Sequence, residues 1–113
     1  MAHYLIELYT AKPAWLALSD EQRQQFFANV SAGMPALMEL DAEPITTGTV
    51  DASKPHSAAQ AFFAAWRCPD DAALEALVGG IAQAGWHDYF EAINAAGEGV
   101  DLMGHLVQLR EAA

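Results

Sequence analysis

The sequence predicts an α+β domain with element order β-α-β-β-α-β and a terminal helix, and three observations predict it. Alternating strand-like runs stand near both ends, at His3 to Thr10 and His87 to Asn94. Ser19 and Asp70 each head a stretch with helical apolar spacing. Between those stretches lie two further strand-like runs, Pro44 to Asp51 and Ala59 to Cys68.

In the first strand Tyr4, Ile6 and Leu8 share one face, and His3, Leu5, Glu7 and Tyr9 share the other. The apolar set is assigned to the helix side; the mixed set suits the lining of a partly wet cavity. Lys12-Pro13 ends the strand, and Ala14 to Leu18 carries Trp15 across a loop or a single helical turn. Ser19 with Gln22 has capping-box spacing, and Asp20 and Glu21 fall where acidic side chains suit the positive end of the helix dipole. Phe26, Val30, Met34 and Leu37 then recur at helical spacing, widened by Phe27 and Met38, and read as core packing rather than a cofactor box. Pro35 has no N–H donor and its ring opposes the carbonyl four residues earlier, which predicts a kink or break near Ala32 to Pro35.

Pro44 to Asp51, rich in Thr and Val, suits a second strand near a sheet edge, because Gly48 weakens it and half its residues are polar. Lys54, Pro55 and His56 belong to a loop. In the third strand Phe62, Ala64 and Trp66 share a face opposite to Phe63, Ala65 and Arg67. Asp70 caps a helix that carries Leu74, Leu77, Val78 and Ile81 inward. Gly79 and Gly80 inside it each cost on the order of 1 kcal/mol against alanine, which predicts that another element approaches closely there. Gly85 stops the helix. His87, Tyr89, Glu91 and Ile93 then alternate with Asp88, Phe90, Ala92 and Asn94. That run also contains helix formers, and the strand reading is taken because the sheet is otherwise one strand short. Gly97 and Gly99 make a turn, and Val100 to Glu111 forms a last helix through Leu102, Met103, Leu106, Val107 and Leu109. The order is the split βαβ plan, in which strand order 4-1-3-2 sets the first strand between the third and fourth.

With 113 residues the chain is one domain on the small side, so an oligomer that buries further apolar surface is expected. A net charge of −10 argues against nucleic acid and anionic membrane as partners, because both require a basic footprint. No apolar run approaches the roughly 20 residues of a membrane helix. The first residues lack the basic region and cleavage site of a signal peptide, which makes the cytoplasm the expected location. The single cysteine, Cys68, excludes an intrachain disulfide and a multi-thiolate zinc site, and reads as a small core residue.

The run FAAWRCPDDAALEAL, from Phe63 to Leu77, resembles the third strand and second helix of the small dimeric α+β barrels, a ferredoxin-like superfamily. AGWHDYFEAINAAGE, from Ala84 to Glu98, is similar to a bacterial group of such domains of unknown function. With HYLIELY as first strand, the likeness covers nearly the whole chain. It implies a ferredoxin-like fold and a homodimer. The superfamily holds antibiotic-biosynthesis-type monooxygenases, haem-degrading enzymes, lactone isomerases, stress-response proteins and members without known activity, so it implies a shape and assigns no reaction.

Glycine-rich phosphate loops, nucleophile elbows and paired histidines such as HExxH are absent, which lowers several hydrolase and transferase readings. What remains depends on the topology. If the first strand lies beside the third and fourth, His3, Glu7 and Tyr9 can share a cavity with Trp66, His87 and Tyr89. His87, His3 and Glu7 are then the candidates for proton transfer, and Trp66, Tyr9, Tyr89 and Arg67 for substrate contact. Arg67 enters because a slip of one residue exchanges Trp66 for Arg67 and His87 for Asp88. Each has a plainer reading: histidines as surface or hydrogen-bonded core residues, Glu7 and Glu91 as ion-pair partners, Trp66 as filler. In haem-degrading relatives a tryptophan ends the third strand and a histidine after the next helix ligates iron. Trp66 and His87 are similar in order, at a longer separation and without the ligand's usual helical setting. Three classes stay open: a cofactor-independent oxygenase or isomerase acting on a small apolar molecule, a haem- or ligand-binding protein, and a non-catalytic assembly or stress domain.

Overall fold

The computed structural model describes residues 1–113. Its strands are β1 (His3–Ala11), β2 (Glu43–Thr49), β3 (Phe62–Cys68) and β4 (Phe90–Glu98). They form one antiparallel sheet in the order β2-β3-β1-β4, the arrangement expected of the split βαβ plan. The helices are α1 (Pro13–Leu16), α2 (Asp20–Glu39), α3 (Asp71–Gln83), α4 (Trp86–Tyr89) and α5 (Leu102–Arg110). No helix is long and apolar enough to cross a membrane.

Local signals place the long helices. At α2 both halves of the capping box form: Ser19 Oγ accepts from the Gln22 N–H at 3.1 Å, and Gln22 Oε1 accepts from the Ser19 N–H at 2.9 Å. Asp70 caps α3 by accepting from the Ala73 N–H at 2.8 Å. The break expected at Pro35 is not found, for α2 runs through it as one element. Ser31, whose carbonyl Pro35 leaves without a donor, is exposed, so water can reach it.

Two expectations are overturned by packing. The first concerns the faces of β1. Leu5 is fully buried with Cys68, Leu74 and Leu77 in a cluster under α3, and Glu7 is 5% exposed. The mixed set therefore faces the helices. Phe90 joins it, opposite Ala11 in register and packed with Trp15 and Phe26. Tyr4, Ile6 and Leu8, expected on the helix side, lie with Phe63, Ala65 and Ile93 on the other face, where Ile6 and Ile93 are 43% and 57% exposed. The most apolar face of β1 is thus not the one its own helices cover.

The second concerns the segment after Gly85, whose φ of 84° is left-handed and suits glycine. His87 to Tyr89 do not begin a strand: they form the single turn α4, and β4 starts at Phe90. Lys12 holds that turn, its N–H donating to the Tyr89 carbonyl at 2.8 Å and its Nζ to the His87 carbonyl at 2.6 Å. The close approach expected at Gly79 and Gly80 is also absent. A Cβ at Gly79 would meet nothing within 4 Å, and one at Gly80 would meet only Leu37 Cδ2 at 4.0 Å.

The chain buries little by itself. Eleven residues are buried, and α5 contributes none of them. The radius of gyration is 15.9 Å, against about 13 Å for a compact domain of this length.

Candidate functional site

A cavity of about 590 Å³ lies between the helix-side face of the sheet and α2 and α3. Its floor is Glu7, Tyr9, Thr47, Ala64 and Trp66; its walls are Val30, Gly33, Met34 and Leu37 of α2 and Leu77, Gly80 and Ile81 of α3, with Trp86 at one end. The volume falls within the range of small-molecule sites, and an apolar cavity with a few polar groups is the usual form of one.

Glu7 occupies the middle of the central strand, opposite Ala64 on β3 and Asn94 on β4. Ala64 is small, which leaves space above the carboxyl group. That group has no hydrogen bond or ion pair within the chain, and burial raises its pKa above the ordinary 4.5. Its oxygens are not sealed off from the cavity as the indole nitrogens are. A carboxyl held this way is costly as an anion and well placed to take or give a proton.

Tyr9 follows two residues later on the same face. Its pKa is raised, first by burial and then by the charge of Glu7. Its ring packs edge-on against Trp86 at 5.4 Å and Phe90 at 5.7 Å. Trp86 is fixed in turn by stacking on Phe90 at 4.3 Å. Trp66 Nε1 and Trp86 Nε1 are buried without acceptors, at a cost of about 1–3 kcal/mol each. Both indoles offer the cavity ring surface rather than a donor.

Of the residues singled out in the sequence, Glu7, Tyr9 and Trp66 are brought together here. The expectation that His3, His87 and Tyr89 line the same cavity is corrected. His3 sits at the start of β1, its Nε2 3.7 Å from Glu98 Oε2. His87 is exposed on α4, because the helical turn replaces the strand that would have aimed it inward. Tyr89 packs edge-on against Phe26 at 5.0 Å and Trp15 at 5.6 Å, in the aromatic core beside the cavity. Arg67 is exposed on the opposite face, across from Tyr4 and Glu43, and borders a separate depression with Asp41, Glu43 and Met38. Sequence reasoning missed Trp86, and it gave Gly80 a close-packing role where the residue lines the cavity. An aromatic residue directly after a helix-ending glycine was the available signal for the first.

A haem held between His87 and Trp66 does not fit these residues. The two do not meet in the cavity, and no histidine or cysteine lines it.

Comparison with known proteins agrees with the fold. The model of a family of unknown function, DUF6616, matches residues 2–112, and the chain belongs to that family. No curated protein matches the sequence. Among solved structures, the crystal structure of a candidate chlorite dismutase superposes with a TM-score of 0.57 at 13% identity, covering 94% of this chain and 48% of that one. The chain thus spans about half the length of that neighbour. At this identity the likeness shows the ferredoxin-like α+β fold alone.

Proposed function

We propose that this DUF6616 chain is a homodimeric, cofactor-independent enzyme of the oxygenase or isomerase kind, which holds a small, largely apolar molecule in the cavity and moves a proton with Glu7. The observation that supports this reading is an unpaired, buried carboxyl group at the floor of a largely apolar cavity without a basic residue. Left without a partner, such a group costs stability, and a protein that keeps one gains where the chemistry needs a base of raised pKa. Isomerisation would need nothing further: the proton leaves one substrate atom for Glu7 and returns to another. Oxygenation would share the first step and take dioxygen as co-reactant.

The dimer is supported by the uncovered apolar face of the sheet and by the dimensions of the single chain. A second sheet packed on Tyr4, Ile6, Leu8, Phe63 and Ile93 would cover what the helices leave open.

A ligand-binding protein without turnover would use the same cavity, and one experiment separates the two. Small apolar ketones are incubated in deuterated water with the wild-type chain and with Glu7→Gln. The enzyme reading expects deuterium beside the carbonyl with wild type only, while tryptophan fluorescence reports retained binding in the variant. Equal exchange by both would contradict the role of Glu7.

A further inference from the structure

We propose that the molecule taken by this cavity is an uncharged carbonyl compound with an acidic C–H beside the carbonyl, and that Tyr9 binds its oxygen while Glu7 faces that C–H. The inference rests on the reading of Glu7 as the proton-transfer group and adds the substrate class and the second polar contact.

Three observations carry it. The Tyr9 hydroxyl makes no hydrogen bond within the chain, although the ring is fixed on three sides by Phe62, Trp86 and Phe90 at 5.4 to 5.8 Å between centroids. A held ring with a free hydroxyl is a donor waiting for an acceptor, and the cavity that Tyr9 lines is where one can enter. Next, Tyr9 and Glu7 stand at i and i+2 on one strand face, about 7 Å apart along the strand. Side chains standing side by side at that separation can contact two neighbouring atoms of one small molecule, an oxygen and the carbon next to it. Finally, no Lys, Arg or His lines the cavity, and the chain carries a net charge of −10. A carboxylate or phosphate would meet Glu7 with no counter-charge, so an anionic substrate is selected against.

The step balances without another reagent. A Glu7 oxygen takes the proton as the C–H pair becomes the enolate π bond, and charge collects on the oxygen that Tyr9 holds. Reprotonation from Glu7 at the same or a conjugated carbon gives an uncharged carbonyl compound and returns Glu7 to the carboxylate that began the cycle.

Benzoylacetone and the anion benzoylacetate are the binding probes, read by tryptophan fluorescence, and the slowly exchanging saturated ketone benzylacetone is the exchange probe, its deuterium uptake read by mass against buffer alone. Wild type is expected to bind benzoylacetone and to bind benzoylacetate at least about tenfold more weakly. Tyr9→Phe is expected to lose about tenfold in benzoylacetone affinity and in benzylacetone exchange, and in the wild type the Cζ resonance of carbon-labelled Tyr9 should move on binding. If Glu7→Gln still exchanges benzylacetone protons above the buffer rate as fast as wild type, the proposed function falls. If Glu7→Gln behaves as expected but the anion binds equally well, the Cζ resonance stays still, or benzoylacetone fails to bind, only the present inference falls. The resonance test needs no variant, so it decides even if Tyr9→Phe proves unstable.

Discussion

Glu7 and Tyr9 face one cavity from adjacent positions on the same side of β1, and the charge of Glu7 adds to burial in raising the pKa of Tyr9. In Glu7→Gln the charge is gone while burial remains. The tyrosinate of Tyr9 should then form at lower pH than in the wild type, though still above the ordinary 10.0. Titration of labelled tyrosine by NMR checks this, and an unchanged midpoint would mean that the two groups are not coupled.

Burial raises the Glu7 pKa above 4.5 in the folded chain, and the unfolded chain has the ordinary value. Between the two, the folded chain keeps a proton that the unfolded chain has lost. The stability from protonated Glu7 is therefore full below about 4.5 and is lost as pH rises through the folded value. Over that window the Tm of the wild type should fall more steeply than that of Glu7→Gln. Parallel curves would show that Glu7 is not buried as described.

Gly80 widens the cavity rather than admitting a neighbour, since the nearest atom to an added Cβ is Leu37 Cδ2 at 4.0 Å. Gly80→Ala should stabilise α3 by up to about 1 kcal/mol. Gly80→Leu should fill the space and remove ligand binding. A thermal melt reads the first and fluorescence titration the second.

The open sheet face should be the dimer contact. Ile6→Lys and Ile93→Lys put charge on residues that are 43% and 57% exposed in the single chain. Light scattering should report a dimer for the wild type and monomers for the variants, with circular dichroism unchanged. A folded wild-type monomer at micromolar concentration would remove the dimer from the account.

Cys68 is fully buried, and its thiol pKa is raised by burial and then by Asp70. Iodoacetamide should leave the native chain unmodified and label it in denaturant. Cys68→Ala should cost about 1 kcal/mol of stability and leave turnover intact.

Helix starts could be read from the sequence because they rest on local signals, and the sheet order followed from the element order through the split βαβ plan. Ser19, Gln22 and Asp70 make the bonds that their spacing announces. Strand faces could not be read so simply. Alternation separates Tyr4, Ile6 and Leu8 from Leu5, Glu7 and Tyr9, but it does not say which set its own helices will cover, and here the purely apolar set is left uncovered. Glu7, Tyr9 and Trp66 were still placed in one cavity because their mutual register does not depend on that choice. His87 was lost for a different reason. A single turn of helix held by Lys12 rotates it away, and a contact between residues 75 apart has no trace in local pattern.

The pH dependence of solvent-deuterium exchange tests the central claim, that Glu7 is the proton-transfer group, most directly. A base acts when deprotonated, so the wild-type rate should rise with pH through a midpoint above the ordinary carboxyl value of 4.5. That limb should vanish in Glu7→Gln and persist at lower rate in Glu7→Asp. The same limb surviving in Glu7→Gln would contradict the account.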